Sequence, residues 1–239
     1  MSQVLSKPVA PRTTTASGDI PPLVNGDRLS RAEFERRYIA MPDVNKAQLI
    51  EGIVFMPSPV RYHAHGKPHV LLSGWLCNYI AKTPGLADFG DNGTVRLDED
   101  NEPQPDLFLL LPPALGGRAK VDADDYIAGP PTLVCEIAAS SVNIDLHLKK
   151  NAYRRNGVRE YLVWRTEESA FDWFELIGGE FVPIAPDAEG ILKSRVFPGL
   201  WLNPATLLAA DLPAAFALLD RAAASAEHAE FVRKLAGSA

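Results

Sequence analysis

Residues 132–164 read TLVCEIAASSVNIDLHLKKNAYRRNGVREYLVW, and the fold turns on this stretch. The apolar run from Thr132 to Ala138 predicts a buried strand, but it carries one acid, Glu136, where burial of a charge is costly unless something compensates it. A polar turn follows, and then a helix on which Asp145, Lys149 and Tyr153 recur every four residues. That spacing aligns an acid, a base and a phenol on one face. A second strand, ending the stretch at Trp164, closes a strand, turn, helix, strand unit.

Outward from this unit, Pro105-Asp106 leads into Leu107 to Leu111, a continuous apolar run typical of a strand covered on both faces. Upstream, Ser30 and Glu33 have capping-box spacing before a short helix with Phe34 and Tyr38 on one side. AQLIEGIVFMPSP reads as a hairpin turning at Glu51-Gly52 and ended by Pro57 and Pro59. A second helix runs from beyond His65 to about Lys82. Residues 87–97 predict an edge strand with a turn at Asp91-Asn92-Gly93, the acidic run 98–102 a solvated loop, and 112–125 a further loop. Downstream, FDWFELIGGEFVPIAP alternates on both sides of Gly178-Gly179 as a hairpin does, and 191–196 adds a strand.

At 239 residues, 46% of them hydrophobic, the chain can bury one sizeable core. The proposed division is a disordered tail over 1–25, a single domain over 26–204, and a helical extension over 205–239. The tail has four prolines and no aromatic residue; the extension has 13 alanines in 35 residues, and its apolar positions need a partner surface, either the domain or a second copy of the chain. Cys77 and Cys135 form no CxxC or framework pattern, and no run approaches a membrane span. A cytoplasmic protein without membrane insertion is expected. The net charge of -6 argues against a surface that grips nucleic acid everywhere, but residues 141–165 alone carry six basic residues against two acids, a local +4. Serine-hydrolase, P-loop, Rossmann and zinc-module patterns are absent.

Asp106 and Glu136, each attached to a strand predicted to be central, would repel each other if ionised together. A divalent cation removes that cost, since Mg2+ is commonly held by one or two carboxylates with waters and phosphate oxygens completing its shell. Lys149 would add a charge beside the bound phosphate, with Tyr153 packing or hydrogen-bonding a carboxylate. His65 is a candidate phosphate contact, and Lys150, Arg154 and Arg155 are candidate backbone contacts. The plainer alternatives are solvated acids at strand ends, a solvated helix face for Lys149-Lys150, and an ordinary i,i+4 pair between Asp145 and Lys149.

These residues resemble the Uma-two family of restriction-endonuclease-like proteins, within the PD-(D/E)xK nuclease superfamily. The matching words are AQLIEG at 47–52 with Pro57 and Pro59, His65 before a helix, Pro105-Asp106, PTLVCEI at 131–137 with Ser140-Ser141, then Asp145, Lys149, Tyr153, Gly157-Val158, Glu160-Tyr161 and Pro198-Gly199-Leu200. The resemblance implies an α/β (α+β) restriction-endonuclease-like core, a mixed β-sheet flanked by helices. It implies Asp106 and Glu136 as ligands for Mg2+ or Mn2+, and Lys149 as catalytic base or charge. Ala138 stands where the superfamily motif has its lysine, and Lys149 matches the helix-borne lysine of this family. Gln48 stands where members commonly carry glutamate. The resulting expectation is a metal-dependent endonuclease acting on DNA, by analogy as a homodimer. The rivals are a non-catalytic nuclease-fold module that binds nucleic acid or protein, and a domain serving oligomeric assembly through its Ala-rich end.

Overall fold

The computed structural model describes residues 20–56, 59–86 and 88–238. Most of the expected tail, and Pro57, lie outside these residues. Of the tail's last residues, Leu23 is buried against Phe34, Leu49 and Val54, so that part of 1–25 belongs to the packed chain. The first helix, α1 (Arg31–Ile39), starts as its capping residues predict, with Ser30 Oγ accepting the Glu33 N–H. β1 (Gln48–Ile50) and β2 (Ile53–Phe55) form the expected hairpin. Both turn residues, Glu51 and Gly52, have positive φ, 53° and 70°, the geometry that a two-residue hairpin loop of this hand demands.

A π-helical turn, Tyr62–Gly66, leads into α2 (Lys67–Lys82). The region expected to be one edge strand is two strands in different sheets: β3 (Phe89–Asp91) and β4 (Val95–Arg96). β5 (Leu107–Leu109) is the apolar strand. The loop expected over 112–125 contains β6 (Lys120–Val121), which joins β4 and β7 (Ile127–Ala128) in a three-stranded sheet. Then come β8 (Leu133–Ala138), a second π-helical turn Ile144–Lys149, α3 (Lys150–Asn156) and β9 (Glu160–Arg165). The second hairpin is β10 (Ala170–Ile177) and β11 (Glu180–Pro183). β12 (Leu192–Lys193) is shorter than the strand expected over 191–196 and pairs with β13 (Trp201–Leu202). Three helices end the chain: α4 (Pro204–Leu208), α5 (Leu212–Ala223) and α6 (Ala226–Ala236).

The main sheet has six strands in the order β11-β10-β9-β8-β5-β3. Its β8–β9 pair is parallel and the other pairings are antiparallel, which makes it mixed. Alternation divides its side chains between two cores. Leu133, Cys135 and Ile137 of β8 face α2 and the C-terminal helices, alongside Leu107, Leu109, Leu162 and Trp164. Val134 and Ala138 face the other way, with Phe108, Tyr161, Val163 and the α3 residue Tyr153. The Ala-rich end is covered by its own chain: Ala215, Leu219, Phe231 and Leu235 are buried in the first core. Among the described residues no helix is long and apolar enough to cross a membrane.

Candidate functional site

β5 and β8 run antiparallel with Leu107 opposite Cys135 and Phe108 opposite Val134. Continuing that register by one residue sets Asp106 opposite Glu136. Opposite residues share a face of the sheet, and this is the face that holds Val134, Ala138 and Tyr153. The two acids found in sequence are therefore cross-strand neighbours, and both are buried, with 4% and 2% of their surface exposed. Asp106 Oδ2 also accepts the Ile137 N–H at 2.7 Å, which fixes its carboxylate across the strand junction.

The helical segment after β8 brings the cation. Asp145 and Lys149 lie in the π-helical turn and Tyr153 in α3, and all three are buried against the sheet. Lys149 Nζ is 2.9 Å from Glu136 Oε2 and 3.3 Å from Asp145 Oδ1. Tyr153 donates its hydroxyl hydrogen to Glu136 Oε1 at 2.9 Å, so the phenol does more than pack. Ser141 donates to Asp145 Oδ2 at 2.6 Å, and Tyr161 to the Asp145 carbonyl at 2.9 Å.

The rim of the site comes from the other π-helical turn, from the start of α2 and from Lys46 just before β1. His65 Nε2 lies 3.3 Å from Asp106 Oδ1, Lys46 Nζ lies 3.9 Å from the same oxygen, and His69 Nε2 lies 3.3 Å from Asp91 Oδ1. The turn is tied down by Thr166, whose hydroxyl donates to the Ala64 carbonyl at 2.7 Å. π-Helical turns are rare and concentrate at functional sites. In this chain Tyr62–Gly66 supplies His65, and Ile144–Lys149 supplies Asp145 and Lys149.

The charge states follow from burial and neighbours. Burial works against Lys149 as an ammonium, but Glu136, Asp145 and Asp106 together hold its pKa above the usual lysine value. Lys149 is thus held as a cation and hydrogen-bond donor. Burial pushes Glu136 up to about 7, against the pull of Lys149. Burial also opposes ionisation of Asp106, yet the hydrogen bond and charge of His65 hold it below the usual carboxylate value. The Asp106 hydrogen bond in turn raises His65.

Two facing carboxylates suit a hard divalent cation, which needs only one or two of them. Each present donor leaves lone pairs free, since an ionised carboxylate has about four acceptor sites. Asp106 and Glu136 are the residues that could hold such an ion. Among the described residues, no group of three or more His, Cys, Asp and Glu side chains is arranged to bind a metal. Gln48 is buried with its Oε1 accepting the Gln104 N–H at 3.1 Å, a structural use of the side chain.

The remaining basic candidates diverge from this cluster. Arg155 Nη2 is 3.0 Å from Glu51 Oε1 in the first hairpin turn, while Lys150 and Arg154 line a cavity against the second hairpin. Sequence reasoning missed Lys46 at Asp106 and Ser141 at Asp145. It also missed Glu102, assigned to a solvated loop but 3% exposed, and Glu160, fully buried at the start of β9.

A mixed sheet flanked by helices, with two facing acids and a buried helix-borne lysine, defines a restriction-endonuclease-like α/β fold. The chain belongs to the Uma2 family, whose model carries the description "Putative restriction endonuclease" and matches residues 31–205. Among solved structures it is similar to one described as a "putative nuclease belonging to DUF820" from Anabaena variabilis, at 14% identity and a TM-score of 0.48, covering 77% of this chain and 97% of that one. No curated protein matches the chain.

Proposed function

We propose that this chain engages DNA at the Asp106, Glu136 and Lys149 cluster and, with Mg2+ or Mn2+, hydrolyses its phosphodiester bonds as an endonuclease. The observation that carries the reading is the buried Lys149 ammonium, 2.9 Å from Glu136 Oε2 on the sheet face that Asp106 shares. Asp106 and Glu136 would hold the ion, which when bound supplies Lewis-acid neutralisation of phosphoryl charge. Lys149, kept protonated by Glu136 and Asp145, donates hydrogen bonds that orient the attacking water and stabilise negative charge developing on the phosphoryl oxygens. Tyr153 and Ser141 hold the two carboxylates that hold Lys149. His65, on the rim at Asp106, offers a ring N–H to a phosphate oxygen. As a homodimer, the chain would present one such site to each strand of a duplex.

A second reading, a nuclease-fold module that binds nucleic acid or protein without cutting, shares the fold and family. It is favoured by a specific feature: among the described residues the acids form no three-ligand group, and the Gln48 amide is committed to Gln104.

Plasmid nicking by the wild-type chain, Glu136→Gln and Lys149→Met, with Mg2+ or Mn2+ and with EDTA, separates the two. Hydrolysis expects metal-dependent nicking by the wild type and a loss of at least a hundredfold in each variant. Equal nicking by all three proteins defeats the assignment. Duplex binding by a wild type that never nicks supports the second reading.

A further inference from the structure

The helix that sends Lys149 into the sheet presents a different stripe on its outside. His147, Lys150, Asn151 and Arg154 follow the i, i+3, i+4, i+7 spacing of a single helical face. They line a cavity of about 290 Å³ that is open to solvent, with Glu180 and Phe181 of β11 on its far side. Arg154 is held in place, donating to Asn151 Oδ1 at 2.9 Å, the Gly179 carbonyl at 2.9 Å and Glu180 Oε1 at 3.1 Å. Lys150 makes no ion pair among the described residues; its Nζ rests 3.4 Å from the centroid of the Phe174 ring. An ordinary solvated helix face would spread its cations through water. Here Lys150 and Arg154 line one cavity, and Glu180, the exposed ion-pair partner of Arg154, lines it with them.

We propose that this cavity is a phosphate subsite, separate from the Asp106 and Glu136 cluster, that takes one phosphate group of a nucleic-acid backbone. An amide, an imidazole and two cationic groups suit a tetrahedral dianion or a phosphodiester. Lys149 and Lys150 are consecutive but project to different sides, one to Glu136 and one to this cavity. The phosphate held here is therefore not the one undergoing cleavage; it fixes how the strand lies across the helix. Only the source of the phosphate rests on the proposed function, while the subsite stands on its own chemistry.

The test uses the full chain without divalent metal, so that nothing is cut, and has two arms. In the first, inorganic phosphate is titrated while backbone amide NMR signals are followed. Shifts should concentrate at 147–154 and 180–181, weaken at least tenfold in Lys150→Met/Arg154→Gln, and strengthen in Glu180→Gln, which removes the competing carboxylate. Phosphate affinity equal in the wild type and the double variant, or shifts centred elsewhere, overturns the subsite. In the second arm, duplex DNA binding is measured by anisotropy across a salt series. The slope of log K against log salt should become shallower by about 1 for each lost phosphate contact. Loss of phosphate binding with an unchanged duplex slope overturns the backbone assignment and leaves a free phosphate ligand. A wild type that binds no duplex defeats the nucleic-acid reading, and the phosphate arm still decides the subsite. Circular dichroism of each variant verifies that it is folded.

Discussion

Lys149 and Glu136 form an ion pair of 2.9 Å in which the two side chains are 8% and 3% exposed. Removing one member of a buried pair strands the other, at a cost of about 3–5 kcal/mol. Lys149→Met should therefore destabilise the chain by about that amount at pH 8, where Glu136 and Asp145 lose their common cation. Glu136→Gln/Lys149→Met should recover part of the loss, because the remaining Asp145 still has Ser141 as a donor. Urea denaturation of the single and double variants measures the coupling directly. Additive losses would mean that the pair contributes nothing beyond its parts.

The pH dependence of stability follows from two other buried acids. Burial raises Glu160 to about 7, against the donors Ser194 Oγ, Arg195 N and Val196 N. Burial, followed by the hydrogen bond and charge of Glu35, raises Glu102 to about 8. Both pKa values lie above those of the unfolded chain, so the folded state holds these protons longer. Their stabilising contribution is complete below about pH 4.5 and is lost as pH rises to about 7 for Glu160 and about 8 for Glu102, by at most about 1.4 kcal/mol per pH unit each. Denaturation at pH 5.5 and pH 8 should show the chain less stable at the higher pH, and Glu160→Gln should reduce the difference. An unchanged difference in that variant would remove Glu160 from the account.

What could be read in the sequence was what hydrophobic period encodes. The apolar runs at Thr132 to Ala138 and at Leu107 to Leu111 located the centre of the sheet, and one acid in each setting located Asp106 and Glu136. Four-residue spacing found Asp145, Lys149 and Tyr153, but not that the first two lie in a π-helical turn, because that geometry depends on contacts across the fold such as Tyr161 to the Asp145 carbonyl. β4, β6 and β7 are two residues long, too short to show a period. Glu102 was hidden in an acidic run in which Glu99 and Asp100 are exposed, and its burial comes from strand-like pairing with Leu49. Glu160 sits at the start of a strand, where an acid is unremarkable until the segment 194–197 folds over it.

The edge of the main sheet rests on a close approach. β3 pairs with β5 so that Gly90 lies opposite Phe108, and a methyl group at Gly90 would collide with the Phe108 ring. Gly90→Ala should cost about 1–3 kcal/mol, the range for overpacking, and should loosen β3, which carries Asp91 beside His69. Hydrogen exchange is the direct readout. Faster exchange confined to the amides of β3 and β5 is expected, and unaltered protection there would show that the ring moves aside freely.

Gln48 gives the metal assignment its most direct handle. Its Oε1 accepts the Gln104 N–H at 3.1 Å, two residues before Asp106, so a carboxylate in its place keeps that bond and adds a negative charge on the approach to the acids. Affinity for a hard divalent ion rises with the charge of its ligands. Gln48→Glu should tighten Mn2+ binding by about tenfold, or ~1.4 kcal/mol, measured by electron paramagnetic resonance without any nucleic acid. The same substitution should lower the melting temperature of the metal-free chain, since a further buried acid then lacks a countercharge. Added Mn2+ should restore it, because a ligand that binds only the folded state stabilises that state by mass action. Glu136→Gln should abolish both the tighter binding and the thermal recovery. Mn2+ affinity that is the same in the wild type, Gln48→Glu and Glu136→Gln would place any bound ion away from Asp106 and Glu136.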